Sequence, residues 1–240
     1  MTVPHACSRV GHLDKIGRAM RPQHRAPRHT PTHRTNWMIE TITTAAFLEL
    51  VSARRGHFLL ESGHHGGLWL DLDPLFADPH RLEPFVAALT RALRPHGVTA
   101  VCGPLQGGAF LAQLVSHALD VEFWFTQRVM PAKPGGLYQA RYVLPSAFIR
   151  RLGGQRVAVV DDVMSAGSAL RGTYGELNAH GAQTVVAGAL LVLGRVGADF
   201  FVRQGVAVEA VARDEYQLWM PASCPLCAAG VPLETPTASG

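Results

Sequence analysis

The sequence has few cysteines and no long apolar run. Four cysteines in 240 residues are too sparse for a disulfide framework, and such usage is typical of a reducing cytoplasm. No stretch reaches the roughly 18 apolar residues that a membrane-spanning helix requires. The start of the chain also lacks the apolar centre of a signal peptide. We therefore expect a cytoplasmic protein with no membrane partner.

Two common nucleotide-binding loops are missing. Gly103–Gly108 has the glycine spacing of a nucleoside-triphosphate loop, but Ala109 follows where that loop has lysine. No GxGxxG follows any of the apolar runs, so the sequence does not indicate a dinucleotide site.

The N-terminal segment has far fewer acidic than basic residues. Residues 1–36 hold seven basic residues and one acid, a net charge of +6, which leaves −2 for residues 37–240 out of a total of +4. The main part of the chain therefore lacks the basic character of nucleic-acid-binding proteins, and we expect no nucleic-acid partner.

Residues 1–37 form a basic leader that lacks apolar periodicity, so it is predicted to be disordered. The favoured interpretation is a dispensable extension before a true start at Met38. An electrostatic tether to an acidic partner and metal binding by its histidines stay open, although those histidines lack close ligand spacing.

From residue 38 onward the pattern predicts an α/β fold. A first helix is expected to run from Ile42 to Gly56. Apolar runs then occupy 98–102, 121–125, 157–160, 184–193 and 206–211, and helical spacing occupies 82–93, 109–119 and 168–180. Strands alternating with helices predict a mostly parallel sheet covered on both faces. Residues 128–150 form an unusually long connection that we interpret as a mobile lid.

The segment Val157–Leu170 (VAVVDDVMSAGSAL) carries the clearest chemistry. Asp161 and Asp162 follow a buried strand, and small residues then open a helix. Backbone amides at such a helix start bind phosphate, whereas carboxylates accept hydrogen bonds from vicinal hydroxyls. Together they predict a ribose 5-phosphate site at the carboxyl end of the sheet. The simpler alternative is that one acid only caps the helix.

This segment resembles the phosphoribosyl-pyrophosphate signature of type I phosphoribosyltransferases. The resemblance implies a central five-stranded, mostly parallel sheet over about 80–212, and a small hood from about 38–75 and 213–235. It also implies that Asp161 and Asp162 contact the ribose hydroxyls. The phosphate contacts are implied to be Ser165, Ala166, Gly167, Ser168 and Ala169.

Four further segments are similar to orotate phosphoribosyltransferases. Two of them are His57–Asp71, which includes Ser62 and Gly63, and Trp219–Leu233. In the third, Val101–Gly108, the resemblance implies that Gly103, Pro104, Gly107 and Gly108 face pyrophosphate. In the fourth, Leu190–Gly197, it implies that Arg195 contacts the orotate carboxylate. The resemblance implies transfer of ribose 5-phosphate from phosphoribosyl pyrophosphate to a pyrimidine base. The expected base is orotate, which places the reaction in pyrimidine biosynthesis. Mg²⁺ would be held mainly by the substrate, and the enzyme would be a homodimer.

The chain departs from that pattern at two places. The loop Gln127–Arg141 contains Lys133 as its only lysine, so Arg128 and Arg141 are alternative cations for departing pyrophosphate. Glu61 stands where some members have lysine, and Gly66 stands where the family usually has serine. These differences keep open a transferase for another base. A non-catalytic sensor of phosphoribosyl pyrophosphate is a further alternative.

Cys224 and Cys227 form a CxxC pair, but no second pair and no close histidine pair accompanies them in the sequence. Packing of a reduced tail is the favoured interpretation. A zinc site shared between two subunits and a redox role stay open. His64 and His65 are expected to face the surface or the substrate rather than a metal.

Overall fold

The structure, a computed structural model, describes residues 44–130 and 136–236. Its helices are α1 (Thr44–Leu48), α2 (Pro79–Leu93), α3 (Gly107–Leu119), α4 (Ser146–Ile149), α5 (Ser168–Ala179), α6 (Val196–Arg203) and α7 (Pro225–Ala228). Its strands are β1 (Ser52–Leu59), β2 (His65–Asp71), β3 (Ala100–Pro104), β4 (Glu122–Val129), β5 (Arg141–Val143), β6 (Arg156–Met164), β7 (Gln183–Leu193), β8 (Ala207–Asp214) and β9 (Leu218–Trp219). The basic leader and Lys133 lie outside the described residues.

The central sheet has the order β5-β4-β3-β6-β7-β8. Strands β4, β3, β6, β7 and β8 are mutually parallel, and β5 pairs antiparallel with β4. The five apolar runs became the five parallel strands, which confirms the predicted mostly parallel sheet. The described part of the predicted connection 128–150 contains β5 and α4, two elements that the sequence did not predict.

Strand β6 shows how the sheet is buried on both faces. Ala158 and Val160 belong to a buried cluster with α2 and α3, whereas Val157 and Val159 belong to a second buried cluster with α5 and α6. Successive residues of a strand point to opposite faces, so a continuous apolar run is needed where both faces are covered.

A second sheet with the order β1-β2-β9 joins segments from near both ends of the described chain. The predicted helix to Gly56 is wrong in its second half, since α1 ends at Leu48 and Ser52 begins β1. Ser52 pairs with Asp71 and Arg55 with Leu68. Cross-strand pairing thus outweighs local helical preference in this segment.

The C-terminal tail returns to the β1–β2 hairpin. The amide of Leu59 donates to the carbonyl of Glu234 (2.8 Å), and the amide of Glu234 donates to the carbonyl of His57 (2.7 Å). An Arg54–Glu234 ion pair lies beside these bonds. Within 44–130 and 136–236, none of the helices is long and apolar enough to cross a membrane.

Candidate functional site

The paired acids of β6 meet the glycine-rich turn that leads into α3. A Cβ built on Gly107 would collide with Asp162 Oδ2, and one built on Gly108 would lie 2.7 Å from Asp161 Oδ1. A Cβ on Gly103 would likewise collide with the backbone of Gly108. Only glycine permits this close approach of backbone to carboxylate. The structure therefore brings the predicted ribose acids and the predicted pyrophosphate turn together.

The two acids are costly to ionise. Burial raises the pKa of Asp162 to about 6, against hydrogen bonds from backbone amides that lower it. Burial also raises the pKa of Asp161 well above its ordinary value, and the neighbouring charges of Asp162 and Glu61 add to this rise. Raised carboxyl pKa values in a cleft are typical of functional sites, where a ligand later supplies the missing partners.

The loop after β6 leads into α5 as the sequence predicts. Gly167 is the N-cap of α5 with a left-handed backbone (φ 72°), and no side chain caps the helix. The alternative that an acid caps α5 is therefore wrong. The amide of Gly197 donates to the carbonyl of Ser165 (2.9 Å), which joins the phosphate loop to the start of α6. The first-turn amides of α5 lack helical partners and suit a phosphate.

Arg128 and Arg141, two of the cations predicted for the lid, differ in their surroundings. Arg128 lies on β4 with its guanidinium 3.7 Å from Glu61, and Tyr142 donates a hydrogen bond to the same carboxylate (2.6 Å). Burial, followed by the charge of Glu61, raises the pKa of Tyr142. Arg141 is an exposed residue at the start of β5. Glu61 is thus fixed to the lid strands, a contact that the sequence did not reveal.

The hairpin turn between β1 and β2 packs on the far end of the lid. Ser62 is buried, its carbonyl accepts the amide of Tyr138 (3.1 Å), and its hydroxyl lies 3.0 Å from His64 Nδ1. Arg171 of α5 stacks on the ring of Tyr138 at 4.5 Å. Gly63 adopts a φ of 80° beside Gly136. The predicted substrate residues Ser62 and Gly63 therefore border the lid.

Arg171 was missed by the sequence reasoning, although it follows Leu170 directly. Its guanidinium lies between Tyr138 and Phe200 and donates to the carbonyl of Val196 (2.8 Å). It thereby links the phosphate helix, the lid and the loop that carries Arg195. A motif defined on local sequence does not reveal such a contact between three separate segments.

Arg195 is an exposed residue that forms the N-cap of α6. Its side chain is 83% exposed and lies 3.8 Å from Asp199. A cavity of about 530 Å³ opens beside it, and neither Asp161 nor Asp162 is among the lining residues. The connection from Arg195 to the phosphate loop runs through its neighbours Val196 and Gly197.

The CxxC pair has histidine neighbours after all. His57, His65, Cys224 and Cys227 place their ligand atoms within 4.8 Å of one another. Two histidines therefore lie beside the cysteines in space although none does in the sequence, and both His64 and His65 are buried rather than at the surface. Spacing along the chain could not reveal this group, because His57 and Cys224 are 167 residues apart.

The phosphoribosyl transferase domain model matches residues 87–202. This range contains Asp161 and Asp162, the turn Gly103–Gly108, the loop between β6 and α5, and Arg195. The orotate phosphoribosyltransferases of Thermotoga petrophila and Carboxydothermus hydrogenoformans are each 30% identical to this chain, over 185 and 194 residues. These matches cover 77% and 79% of this chain, and 91% and 93% of the relatives.

Solved structures show the same fold. Orotate phosphoribosyltransferase from Aeropyrum pernix has a TM-score of 0.54 at 24% identity, covering 70% of this chain and 92% of its own. The APRTase from Giardia lamblia has a TM-score of 0.56 at 19% identity, covering 72% of this chain and 99% of its own. At these identities the structural likeness concerns the fold and leaves the base undetermined.

Proposed function

The chain belongs to the phosphoribosyltransferase family, and we propose that it transfers ribose 5-phosphate from phosphoribosyl pyrophosphate to orotate. The bond between the anomeric carbon and pyrophosphate breaks, and a bond to the ring nitrogen of the base forms. The products are the nucleoside monophosphate and pyrophosphate. Curated relatives named orotate phosphoribosyltransferase at 30% identity support orotate as the base.

The observation that carries the donor assignment is the meeting of Asp161 and Asp162 with Gly107 and Gly108. In our proposal the acids accept hydrogen bonds from the two ribose hydroxyls, and the amides of Ser165 to Ala169 bind the 5-phosphate. The turn Gly103–Gly108 contacts pyrophosphate, with Pro104 and the start of α3 in its wall. All three segments end at the same edge of the parallel sheet, where ligands of such folds bind.

Mg²⁺ fits this arrangement. The acids are oxygen donors of the kind that this ion takes, and burial, which raises the pKa of both, would be offset by a nearby cation. We propose that Mg²⁺ is held mainly by the pyrophosphate and ribose hydroxyls of the donor, with Asp161 and Asp162 facing the hydroxyls. When bound, the ion supplies positive charge that neutralises pyrophosphate.

The residues of the chain then stabilise the departure of pyrophosphate. Bond breaking at the anomeric carbon leaves positive charge on the sugar and negative charge on the leaving group. Lys133, Arg128 and Arg141 are proposed to offset the negative charge when the lid closes. Closure also excludes water, which would otherwise hydrolyse the donor.

The acceptor is proposed to lie between the hairpin turn and the loop after β7. Arg195 would pair with the orotate carboxylate, and its exposure leaves the guanidinium available to a ligand. Ser62 and Gly63 would form the opposite wall. Arg171 joins these two walls through Tyr138 and Val196, so the acceptor site and the lid are expected to order together.

Two asparagine substitutions test the donor assignment. Hydrogen bonds to charged groups contribute about 1.5–3 kcal/mol each, so Asp161→Asn with Asp162→Asn should lower kcat/KM for phosphoribosyl pyrophosphate more than about hundredfold. The far-ultraviolet circular dichroism should be unchanged. Asp120→Asn is the matched control, because Asp120 is an exposed C-cap with a φ of 59°, a conformation that asparagine tolerates. Undiminished activity of the double variant contradicts the assignment.

A further inference from the structure

Four metal-binding side chains from opposite ends of the described chain meet in the small sheet. His57 lies on β1 and His65 on β2, whereas Cys224 is the N-cap of the short tail helix α7 and Cys227 lies within that helix. Both histidines and Cys224 are buried, and Cys227 is exposed. None of these four side chains takes part in the proposed transfer.

The distances between their ligand atoms fit the edges of a tetrahedron. His57 Nε2 lies 3.0 Å from His65 Nδ1 and 3.4 Å from Cys224 Sγ, and Cys227 Sγ lies 3.3 Å from His65 Nδ1. A tetrahedral ion with Zn–N of about 2.0–2.1 Å and Zn–S of about 2.3 Å requires edges of roughly 3.3–3.8 Å. Two of these separations fall within that range and the third is slightly shorter, so the four atoms lie close enough together to share one ion.

A neighbouring hydrogen bond orients His57. Its Nδ1 lies 2.8 Å from the carbonyl of Val231, which can only accept, so Nδ1 carries the proton and Nε2 presents its lone pair to the cluster. Metal-binding histidines are commonly held in this way by a carbonyl on the second ring nitrogen.

Hydrogen bonding alone does not account for this convergence. His65 Nδ1 and both sulfurs lie within 3.7 Å of His57 Nε2, but one ring lone pair accepts one good hydrogen bond. A single cation bonded to all four atoms satisfies every one of them. Two thiolates and two neutral imidazoles also balance a charge of +2, so no net charge is buried.

We propose that His57, His65, Cys224 and Cys227 bind one structural Zn²⁺ within a single subunit. Tetrahedral sites with two sulfurs and two nitrogens select zinc, and four protein ligands leave no open position for a catalytic water. The exposed Cys227 provides a route for the ion to enter.

The ion would fasten the tail to the β1–β2 hairpin. Backbone bonds of Glu234 with the segment His57–Leu59 and the pairing of β9 with β2 hold the same two segments. A bond from the ion to each of the four side chains would add to these contacts, so the metal is expected to stabilise the packing of the tail on the hairpin. The turn Ser62–His64 lies directly between the two histidine strands, which connects the metal to the wall of the acceptor site.

Metal content of the full-length chain tests this proposal. We expect about one Zn²⁺ per chain after equilibration with zinc and removal of excess by desalting. His57→Ala and the pair Cys224→Ser with Cys227→Ser should weaken the affinity, measured against a chromophoric chelator, by more than about tenfold. Cys102→Ala is the matched control, since Cys102 is buried in β3 away from the cluster, and it should keep its zinc.

A second readout on the native sequence covers the case in which these variants do not fold. Chelator-stripped protein reloaded with Co²⁺ should show the visible bands of a tetrahedral ion and a thiolate-to-cobalt charge-transfer band. Removal of the metal should also lower the midpoint of thermal unfolding. A native chain that retains no zinc, a cobalt spectrum without the thiolate band, or a Cys224–Cys227 disulfide under reducing purification overturns the proposal.

Discussion

At the scale of one residue, the buried carboxylate of Asp162 lowers the stability of the folded protein. An aspartate in the unfolded chain ionises near 3.8, whereas burial raises the pKa of Asp162 to about 6 in the folded chain. Between these pH values the folded state holds a proton that the unfolded state lacks. Stability therefore falls as the pH rises through this window and stays lower above it.

Asp162→Asn should consequently raise stability while it lowers activity. At pH 8 the variant lacks the buried charge, and we expect a midpoint of thermal unfolding higher by about 2–4 °C for each kcal/mol regained. Near pH 4 the difference should shrink, because the native carboxyl is then protonated. Thermal scans at both pH values measure this, with Asp120→Asn as the exposed control. A variant less stable than the native chain at pH 8 contradicts the stated cause.

Single residues also show the limits of inference from sequence. Asp161, Asp162 and the small residues after them were predictable, because their chemistry is contained in one local segment. Arg171 and Glu61 were not, since their roles depend on Tyr138, Val196 and Tyr142, which reach them only through the fold.

At the scale of elements, the contact between β6 and the start of α3 is the key geometric relation. Gly107→Ala would drive a methyl group into the carboxylate of Asp162. We expect kcat/KM for phosphoribosyl pyrophosphate to fall more than about tenfold, because misplacement of a binding group by about 1 Å can cost a hundredfold in rate. Steady-state kinetics at varied donor concentration measure this loss.

Gly175→Ala is the matched control for this substitution. Gly175 lies on the exposed side of α5, and a Cβ there meets nothing within 4 Å. Alanine should stabilise the helix by about 1 kcal/mol and leave activity unchanged. Equal activity of both glycine variants would contradict the role of the β6–α3 contact.

The lid between β4 and β5 makes a second prediction at this scale. Lys133→Ala, Arg128→Ala and Arg141→Ala should be compared, and we expect at least one to lower kcat more than about tenfold, since loss of one stabilising group costs about 10²–10³ in comparable sites. Arg150→Ala is the control, because Arg150 is exposed at the end of α4. If none of the three lowers kcat, pyrophosphate departure is stabilised from elsewhere.

Elements were predicted well where apolar periodicity determines them. The runs 157–160 and 184–193 became β6 and β7 because both faces of the sheet are covered. Residues 52–56 were misassigned, since their side chains are mostly exposed and their strand exists only through pairing with β2. The prediction of strands depended on runs of buried apolar residues, and residues 52–56 of β1 contain no such run.

At the scale of the whole molecule, the expected homodimer requires an apolar surface near the site. Phe110 and Leu114 lie one turn apart on α3 and are 49% and 39% exposed. Exposed apolar patches of this kind mark contact surfaces, and this one adjoins the pyrophosphate turn.

If the chain forms the expected homodimer through this surface, Phe110→Asp with Leu114→Asp should yield monomers. Light scattering coupled to size-exclusion chromatography measures the mass of each species. Val202→Asp is the control, because Val202 is 64% exposed on α6, away from α3, and this variant should remain dimeric. A native chain that elutes as a monomer, or a double variant that stays dimeric, contradicts the assignment of this surface.

The organisation of the whole chain was only partly predictable. The small sheet depends on contacts between His57–Leu59 and Glu234, which no local pattern reports. The same distance along the chain concealed the histidine neighbours of the CxxC pair. The division into leader, hood and core, with a start at Met38, stays a prediction.

The central claim is that this protein transfers ribose 5-phosphate to orotate, and one measurement tests it directly. The full-length protein is incubated with phosphoribosyl pyrophosphate, Mg²⁺ and, in separate reactions, orotate, uracil, adenine and other bases, and pyrophosphate release is followed together with the nucleotide formed. We predict rapid release with orotate and formation of its nucleoside monophosphate in equal amount. Release with a different base contradicts orotate as the acceptor, and no release with any base contradicts the proposed transfer itself.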